Sequence, residues 1–378
     1  CSSDLAMDAF EGRGIVGIDE EWVYPLLAWL PIGFANLASA PAYLAMWIAM
    51  IGALDALALR SLLASGSTRA IIAGWAWLGM LLSLSPVALL RLEGVTAPLV
   101  VVAVSLLARR PWLAGALLAI ATWIKVWPAA VVGAAIVVLR ERTRLLHAGV
   151  VVTAAVVVLA IALGNAGHLA SFAAMQDDRN LQLEAPIATP WVWMAMLGVR
   201  NAAVFQNVAL ATREVVGPLD GLALAASTPL MLLATIAALV LAQVAVRRGA
   251  DRHETLLTAA LVVTVAMFAC NRVGSPQYML WILPVAIVAL ATVDGTAQRW
   301  WRRMTATLLA TGLLTTIIFP IAYMALVDLQ PWAVVLLTMR NVLLVAVLVA
   351  AARRIVVLAV GRSMLDAVRA SRAAGLPS

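Results

Sequence analysis

The sequence predicts an all-α polytopic membrane protein with about 11 transmembrane helices. Hydrophobic residues make up 64% of the chain and charged residues only 12%, whereas a soluble domain carries about 25% charged residues. The apolar residues form long continuous runs, which indicate helices rather than the short alternating segments of a β-barrel. The arginines fall in short clusters between these runs and not in one basic tail, so we expect membrane lipids and no nucleic acid as partners.

The predicted spans follow one another from residue 41 to residue 352. They are 41–59, 70–90, 95–108, 112–124, 126–139, 145–163, 218–246, 255–270, 277–293, 304–327 and 332–352. The preceding stretch, 22–37, is apolar but contains Pro25 and Pro31, which favours an interfacial or re-entrant segment. The sequence therefore predicts a membrane domain over 1–352 and a basic cytoplasmic tail over 353–378.

Arginine placement predicts the orientation of the spans. The clusters assigned to the cytoplasm are Arg109-Arg110, Arg140/Arg142/Arg144, Arg247-Arg248/Arg252, Arg299/Arg302/Arg303 and Arg353-Arg354. This assignment places two polar loops outside, 1–21 and 165–217, together with most of the carboxylates. We expect that extracytoplasmic face to be the active one. An outside start at Cys1 also predicts one more helix before it, for about 12 spans in a multi-pass protein of the cell membrane.

Lys125 is the only lysine in 378 residues, and it separates two apolar runs. A lone ammonium between membrane-length segments needs an anionic partner, a snorkelling route to water, or a functional reason. Trp123 and Trp127 flank it and Pro128 breaks the helix after it, which favours a turn at headgroup depth. Such a cation is suited to hold a lipid phosphate, so Lys125 is a candidate phosphate ligand.

Asp4 is the candidate catalytic residue, because it lies in the first external loop, where a carboxylate can act as general base on a hydroxyl. Asp8 follows one helical turn later and is a candidate acceptor ligand. The alternative for both is a solvated loop acid.

A polar segment at 176–184 contains Arg179, Gln182 and Glu184 and precedes Trp191 and Trp193. Amides and carboxylates beside aromatic rings favour sugar binding, since hydroxyls need polar partners and ring faces stack on the sugar. The alternative is an amphipathic surface helix.

The turn at 271–281 joins two spans on the same face. Arg272 is a candidate phosphate ligand, while Gln277 and Tyr278 open a helix whose N-terminus favours an anion and are candidate sugar or acceptor ligands. The alternative is a capped interhelical turn. Arg340 lies inside the last predicted span and pairs either with Asp328 or with a lipid phosphate, so it is also a candidate phosphate ligand.

The sequence predicts no metal site and no cofactor. Its two cysteines form no disulfide framework or metal-ligand spacing, and its three histidines are scattered along the chain. The external loops contain no Asp-x-Asp pair.

Four stretches of the chain resemble glycosyltransferase family 87, within the GT-C superfamily. They are Trp22-Val23-Tyr24-Pro25-Leu26, Lys125-Val126-Trp127-Pro128, Arg179-Asn180-Leu181-Gln182-Leu183-Glu184 and Ser275-Pro276-Gln277-Tyr278-Met279-Leu280-Trp281. The family's usual Tyr-Pro-Pro reads Tyr24-Pro25-Leu26 here, and its usual Arg-Gly-Leu-Gln reads Arg179-Asn180-Leu181-Gln182.

The resemblance implies a GT-C-like helical bundle and a hexosyltransferase that takes its sugar from a polyprenyl-phosphate donor. It implies transfer to a lipid or glycan acceptor of the cell envelope on the external face, with mannose as the leading sugar and arabinose next. The catalytic aspartate of the family corresponds to Asp4. The alternative function is a membrane transporter or lipid flippase, which would need a polar pathway reaching both faces rather than polar residues gathered on one.

Overall fold

The computed structural model describes residues 15–37, 40–164, 166–174, 179–208 and 210–361. Most of these residues are helical. The α-helices are α1 Trp29–Asn36, α2 Tyr43–Leu63, α3 Thr68–Ser83, α4 Ser85–Leu90, α5 Glu93–Leu106, α6 Pro111–Ile124, α7 Ala129–Val138, α8 Arg142–Ala162, α9 Ser171–Ala174, α10 Thr189–Met196, α11 Asp220–Arg247, α12 Arg252–Ala269, α13 Met279–Thr292, α14 Ala297–Thr316, α15 Tyr323–Val327 and α16 Pro331–Val360. The strands are β1 Leu181–Gln182, β2 Ala203–Asn207 and β3 Thr212–Val216.

The described residues fall into two compact units. The first unit takes those within Cys1–Val132, Glu141–Asn180 and Ser275–Thr292. The second unit takes those within Gly133–Arg140, Leu181–Gly274 and Val293–Ser378.

Among the described residues, six helices are long and apolar enough to cross a membrane. They are Tyr43–Leu63, Arg142–Ala162, Asp220–Arg247, Arg252–Ala269, Ala297–Ile321 and Pro331–Val360. Further apolar helices of 10–17 residues accompany them, among them α5, α6 and α7. A multi-pass helical membrane protein is therefore supported, whereas the predicted count of 11 or 12 spans is not confirmed.

In the first unit, α6 packs against both α5 and α8. Gly115 on α6 approaches the first turns of α8 so closely that an added Cβ would lie 2.9 Å from the Leu145 Cα. Trp112 Nε1 donates to His147 Nδ1 over 3.1 Å at the same end. The arginines that precede α6 and those that begin α8 therefore share one end of this helix pair, and Lys125 lies at the other end.

The stretch at 22–37 joins the core of the first unit. It forms a 3₁₀ turn, Leu26–Ala28, followed by α1. Trp22, Leu26 and Ala28 are buried in one cluster with residues of α2, α5 and α6. This packing fixes Tyr24 close to the C-terminus of α6.

In the second unit, α12 packs against α11 and α16. The basic ends of these helices meet: Arg354 forms an ion pair with Glu254, and Arg248 Nη1 donates to the Ala359 carbonyl over 3.0 Å. Arg252 donates to the Val138 carbonyl at the end of α7. Arg248, Arg252 and Arg354 thus lie together at one end of the helices of this unit.

The prediction of an all-α fold missed a small antiparallel sheet, with strand order β1-β3-β2. The pair Val204 and Val215 lies in register across β2 and β3. Val215 is buried, and valine on a half-buried pleated surface favours a strand. The sheet lies within the 165–217 loop.

Three predicted spans have clearly different limits in the structure. The span at 70–90 is two helices that meet at Leu84, because Pro86 at the start of α4 has no N–H to continue the helical ladder. The span at 304–327 starts earlier, at Ala297, and α14 ends at Thr316, before the π-helical turn that contains Pro320. The last helix, α16, extends to Val360 and so includes the first residues assigned to the tail.

Candidate functional site

The first unit contains a buried charge cluster around the single lysine. Lys125 is the C-cap residue of α6 and has an extended backbone, so its side chain leaves the helix axis. Its Nζ lies 3.2 Å from Glu93 Oε1 and 4.3 Å from the centre of the Tyr24 ring. The side chains of Lys125 and Glu93 are 17% and 2% exposed. The ammonium thus has an anionic partner and an aromatic face in a site largely shielded from water.

Three contacts hold this cluster at the start of α5. Glu93 is the first residue of that helix. Trp127 Nε1 donates to Thr96 Oγ1 over 2.9 Å, with both residues buried, which ties the turn after Lys125 to α5. Gly94 approaches the preceding helix so closely that a Cβ would lie 2.0 Å from the Ala88 carbonyl oxygen. Only glycine fits there, so the backbone beside Glu93 has a fixed position.

Tyr278 and Arg179 complete this group, which we call the lysine cluster: Tyr24, Glu93, Lys125, Arg179 and Tyr278. Tyr278 ends the 3₁₀ turn before α13 and stacks on Trp281 with ring centres 3.7 Å apart. Lys125, Glu93 and Arg179 all lie within electrostatic range of its hydroxyl group. With two cations and one carboxylate, the cluster carries a formal charge of one positive unit.

An apolar groove lies beside the lysine cluster in the same unit. Its volume is about 470 Å³, and it lies between α6, the start of α7, and α8. Gly115, Ala119 and Gly149 contribute to its walls. Thr122 and Trp123, which immediately precede the lysine turn, also line it, and Trp123 Nε1 donates to Thr153 Oγ1 over 3.1 Å. The groove can therefore hold an apolar chain close to the Lys125 turn.

The second unit brings together two other predicted segments. Gln182 in β1 accepts a hydrogen bond from the Gly274 N–H at 2.9 Å through its side-chain oxygen, and its own N–H donates to the Arg272 carbonyl at 2.9 Å. A Cβ on Gly274 would lie 2.3 Å from the backbone nitrogen of Ala185. The backbones after β1 and after α12 are thus packed in direct contact.

Arg340 is fully buried beside Glu184. Its Nη2 donates to the Glu184 carbonyl over 2.9 Å, and its guanidinium carbon lies 5.4 Å from the centre of the Phe268 ring. The next residue, Asn341, donates through Nδ2 to Thr189 Oγ1 over 2.8 Å. Arg340 therefore contacts the segment at Glu184, a partner that the sequence did not indicate.

Glu184 has an unusual environment for a carboxylate. The whole residue is only 2% exposed to solvent. Burial raises the pKa of Glu184 to about 7, although the positive charge of Arg340 lowers it. The carboxyl group therefore changes its protonation state near neutral pH.

The predicted site residues are thus divided as follows. Lys125, Arg179 and Tyr278 lie together in the lysine cluster, whereas Gln182, Glu184, Arg272 and Arg340 lie in the second unit. Arg272 Nη2 contacts the Leu224 carbonyl at 3.4 Å. Gln277 is half-buried in the 3₁₀ turn before Tyr278. Asp4 and Asp8 lie outside the described residues.

Glu93 and Tyr24 were not predicted as site residues. The signal for Glu93 was present, since a lone lysine needs an anionic partner and Glu93 starts the span that precedes the lysine-bearing helix. The signal for Tyr24 was its place in a family-like motif. Within the part of the chain that the structure describes, no group of three or more His, Cys, Asp or Glu residues is arranged to hold a metal ion.

The sequence model of glycosyltransferase family 87 matches residues 22–185. The match confirms the family resemblance and covers three of the four motifs, together with Glu93, while the motif at 275–281 lies outside it. It indicates a membrane glycosyltransferase. No curated protein and no solved structure matches the chain.

Proposed function

We propose that this membrane glycosyltransferase moves a hexose, with mannose as the leading sugar, from a polyprenyl-phosphate donor to a lipid or glycan acceptor on the extracytoplasmic face. The observation that carries the proposal is the lysine cluster, in which an ammonium largely shielded from water lies at the C-terminal end of the apolar helix α6. In this proposal, Lys125 and Arg179 hold the donor phosphate.

The charge of the cluster supports a lipid-linked phosphate as ligand. A sugar joined to polyprenol through one phosphate is a diester with a single negative charge. Lys125 and Arg179 are the two cations of the cluster, so both would attract the phosphate of the diester. A partly buried cation interacts with a phosphate far more strongly than an exposed one, because water screens it less.

The apolar groove supports a donor with a hydrocarbon chain. At about 470 Å³ it lies in the size range of ligand pockets, which is about 300–1,000 Å³. Its walls come from helices of the membrane region and end next to the lysine turn. We propose that the first part of the polyprenyl chain binds there while the phosphate binds to Lys125.

Inverting transfer needs one base and stabilisation of the leaving phosphate. In the proposed reaction, Asp4 takes the proton of an acceptor hydroxyl as the hydroxyl oxygen bonds to the anomeric carbon. The bond between that carbon and the phosphate oxygen breaks, and its electron pair stays on the phosphate. Lys125 and Arg179 stabilise the added charge. Asp8 is proposed to bind the acceptor.

The remaining predicted residues have secondary roles in this proposal. Gln182, Glu184 and Gln277 are proposed to bind the sugar or acceptor, and Arg272 to bind phosphate. Arg340 was predicted to bind the donor phosphate as well. Because its guanidinium is fully buried and hydrogen-bonded to the backbone at Glu184, we propose that it instead holds the segment after β1.

The test is sugar transfer from radiolabelled polyprenyl-phosphate mannose to membrane lipids, with the full chain in lipid nanodiscs. Asp4→Asn should abolish turnover and leave donor binding intact, while Lys125→Met should weaken donor binding. Glu21→Gln is the control, since this external carboxylate is exposed. Turnover by Asp4→Asn would remove Asp4 as the base. Absence of transfer from mannose, arabinose and glucose donors by folded protein would contradict the proposed function.

A further inference from the structure

Glu93 is a buried carboxylate that the proposed transfer reaction does not need as a base. It is 1% exposed and faces the ammonium of Lys125 at 3.2 Å. The other ionisable groups around it are Tyr278 and, next to that hydroxyl, Arg179, while the Tyr24 ring covers the lysine. A phosphate that binds Lys125 therefore arrives beside a negative charge already in place.

The carboxylate has little freedom to move away from an incoming anion. Glu93 begins α5, and the next residue, Gly94, is in contact with the Ala88 carbonyl. One turn later, Thr96 accepts the hydrogen bond from Trp127, which fixes the lysine turn to the same helix. Glu93 and the ligand phosphate must therefore share Lys125, and they repel each other.

Repulsion of this kind acts more strongly on the product than on the donor. The donor phosphodiester has one negative charge, whereas a phosphate monoester carries about −1.5 to −2 near pH 7. A positive cluster without Glu93 would hold the released polyprenyl phosphate more tightly than the next donor molecule. Product release would then limit turnover, as it does in many enzymes.

We propose that Glu93 is a built-in counter-ion that weakens the hold of Lys125 on polyprenyl phosphate and so allows product release. The inference rests on the proposed function and adds a role for a residue within it. Glu93 is not a catalytic residue here, since it acts on the ligand through Lys125 and through the charge of the cluster.

The experiment measures binding of polyprenyl phosphate itself to the full chain in nanodiscs, together with kcat and KM for transfer. Glu93→Gln keeps the shape and removes the charge. We expect its affinity for polyprenyl phosphate to rise about tenfold, as for loss of one like charge in a partly buried site. Its KM for the donor and its kcat should both fall. A residue with only a structural role would instead weaken binding.

A double-mutant cycle tests whether the effect passes through the lysine. Glu93→Gln changes the affinity for polyprenyl phosphate by some factor in the unmodified chain. In the Lys125→Met background, this factor should be at least three times smaller. Glu93→Asp keeps the charge, so its affinity should stay near that of the unmodified chain. It also serves as the folded comparison if Glu93→Gln lowers the unfolding temperature. Unchanged or weaker binding by Glu93→Gln, or stronger binding by Glu93→Asp, would overturn the inference.

The two proposals fail in different ways. Suppose that the unmodified chain transfers no sugar, but that the Glu93→Gln variant binds polyprenyl phosphate more tightly than the unmodified chain does. The proposed function is then wrong, and the counter-ion role stands for a phosphate-binding protein. If transfer proceeds but Glu93→Gln does not tighten binding, the counter-ion role is wrong and the proposed function stands.

Discussion

The stability of the second unit should depend on pH through Glu184. Burial raises the pKa of this carboxyl group from an ordinary value of 4.5 to about 7 in the folded protein. Between these values the unfolded chain has lost the proton and the folded protein keeps it, so the free energy of unfolding falls as pH rises. The contribution is complete below pH 4.5 and is lost above pH 7. At 1.36 kcal/mol per pH unit, its full size is about 3 kcal/mol.

Glu184→Gln should remove this dependence, because an amide keeps the shape of the side chain but does not ionise. The Arg340 hydrogen bond goes to the backbone carbonyl of residue 184, which the variant keeps. The attraction of Arg340 for the ionised carboxylate is already included in the pKa of about 7, and any other cost of the substitution is the same at every pH. The quantity to compare is therefore the stability of the variant minus that of the unmodified chain. This difference should rise by up to about 3 kcal/mol in favour of the variant between about pH 5 and about pH 8.

The assay is denaturant-induced unfolding in detergent, followed by tryptophan fluorescence at several pH values. Glu21→Gln is the matched control, since it removes an exposed carboxylate. It should follow the unmodified chain at every pH. A Glu184→Gln difference that stays constant from about pH 5 to about pH 8 would refute the reasoning, because it would mean that the buried carboxyl titrates as it does in water.

Three further changes test the packing around the predicted site. Gly274→Ala should cost about 1–3 kcal/mol of stability, since its Cβ would meet backbone atoms at 2.3 Å. Gly221→Ala, with nothing within 4 Å and a place in α11, should not destabilise the protein and should gain up to about 1 kcal/mol. Trp127→Phe removes the hydrogen bond to Thr96 and leaves a cavity beside a fully buried ring, so it should cost about 2–3 kcal/mol in the same unfolding assay. Arg340→Met leaves a buried carboxyl without its cation and should cost about 3–5 kcal/mol at pH 8; a cost below about 1 kcal/mol would mean that the buried pair contributes little.

Much of the candidate site could be predicted because its signals are local. A single lysine between apolar runs, followed by Pro128, indicates a helix end whatever the rest of the chain does. Tyr278 was identified in the same way, at the start of an apolar helix after Pro276. Both residues lie in the lysine cluster of the first unit. Asp4 and Asp8 lie outside the described residues, so their roles stay predictions.

The small sheet could not be predicted from local sequence patterns. Its strands are two and five residues long, in a polar loop between membrane helices, and a hydropathy pattern does not register such short elements. β1 is held by its neighbours: Leu183 donates to the Arg213 carbonyl and Gln182 to the Arg272 carbonyl. These bonds join segments that are far apart in the sequence.

By itself, the sequence determined the membrane class and helical fold, and placed the family-like motifs and the lysine turn, because composition, apolar run length and proline act within one helix. Only the tertiary structure decided which charges meet. Lys125 pairs with Glu93 and Arg340 with the backbone at Glu184, 156 residues away. Buried charges need partners in low dielectric, but which partner is within reach depends on how the helices pack, and no local pattern encodes that.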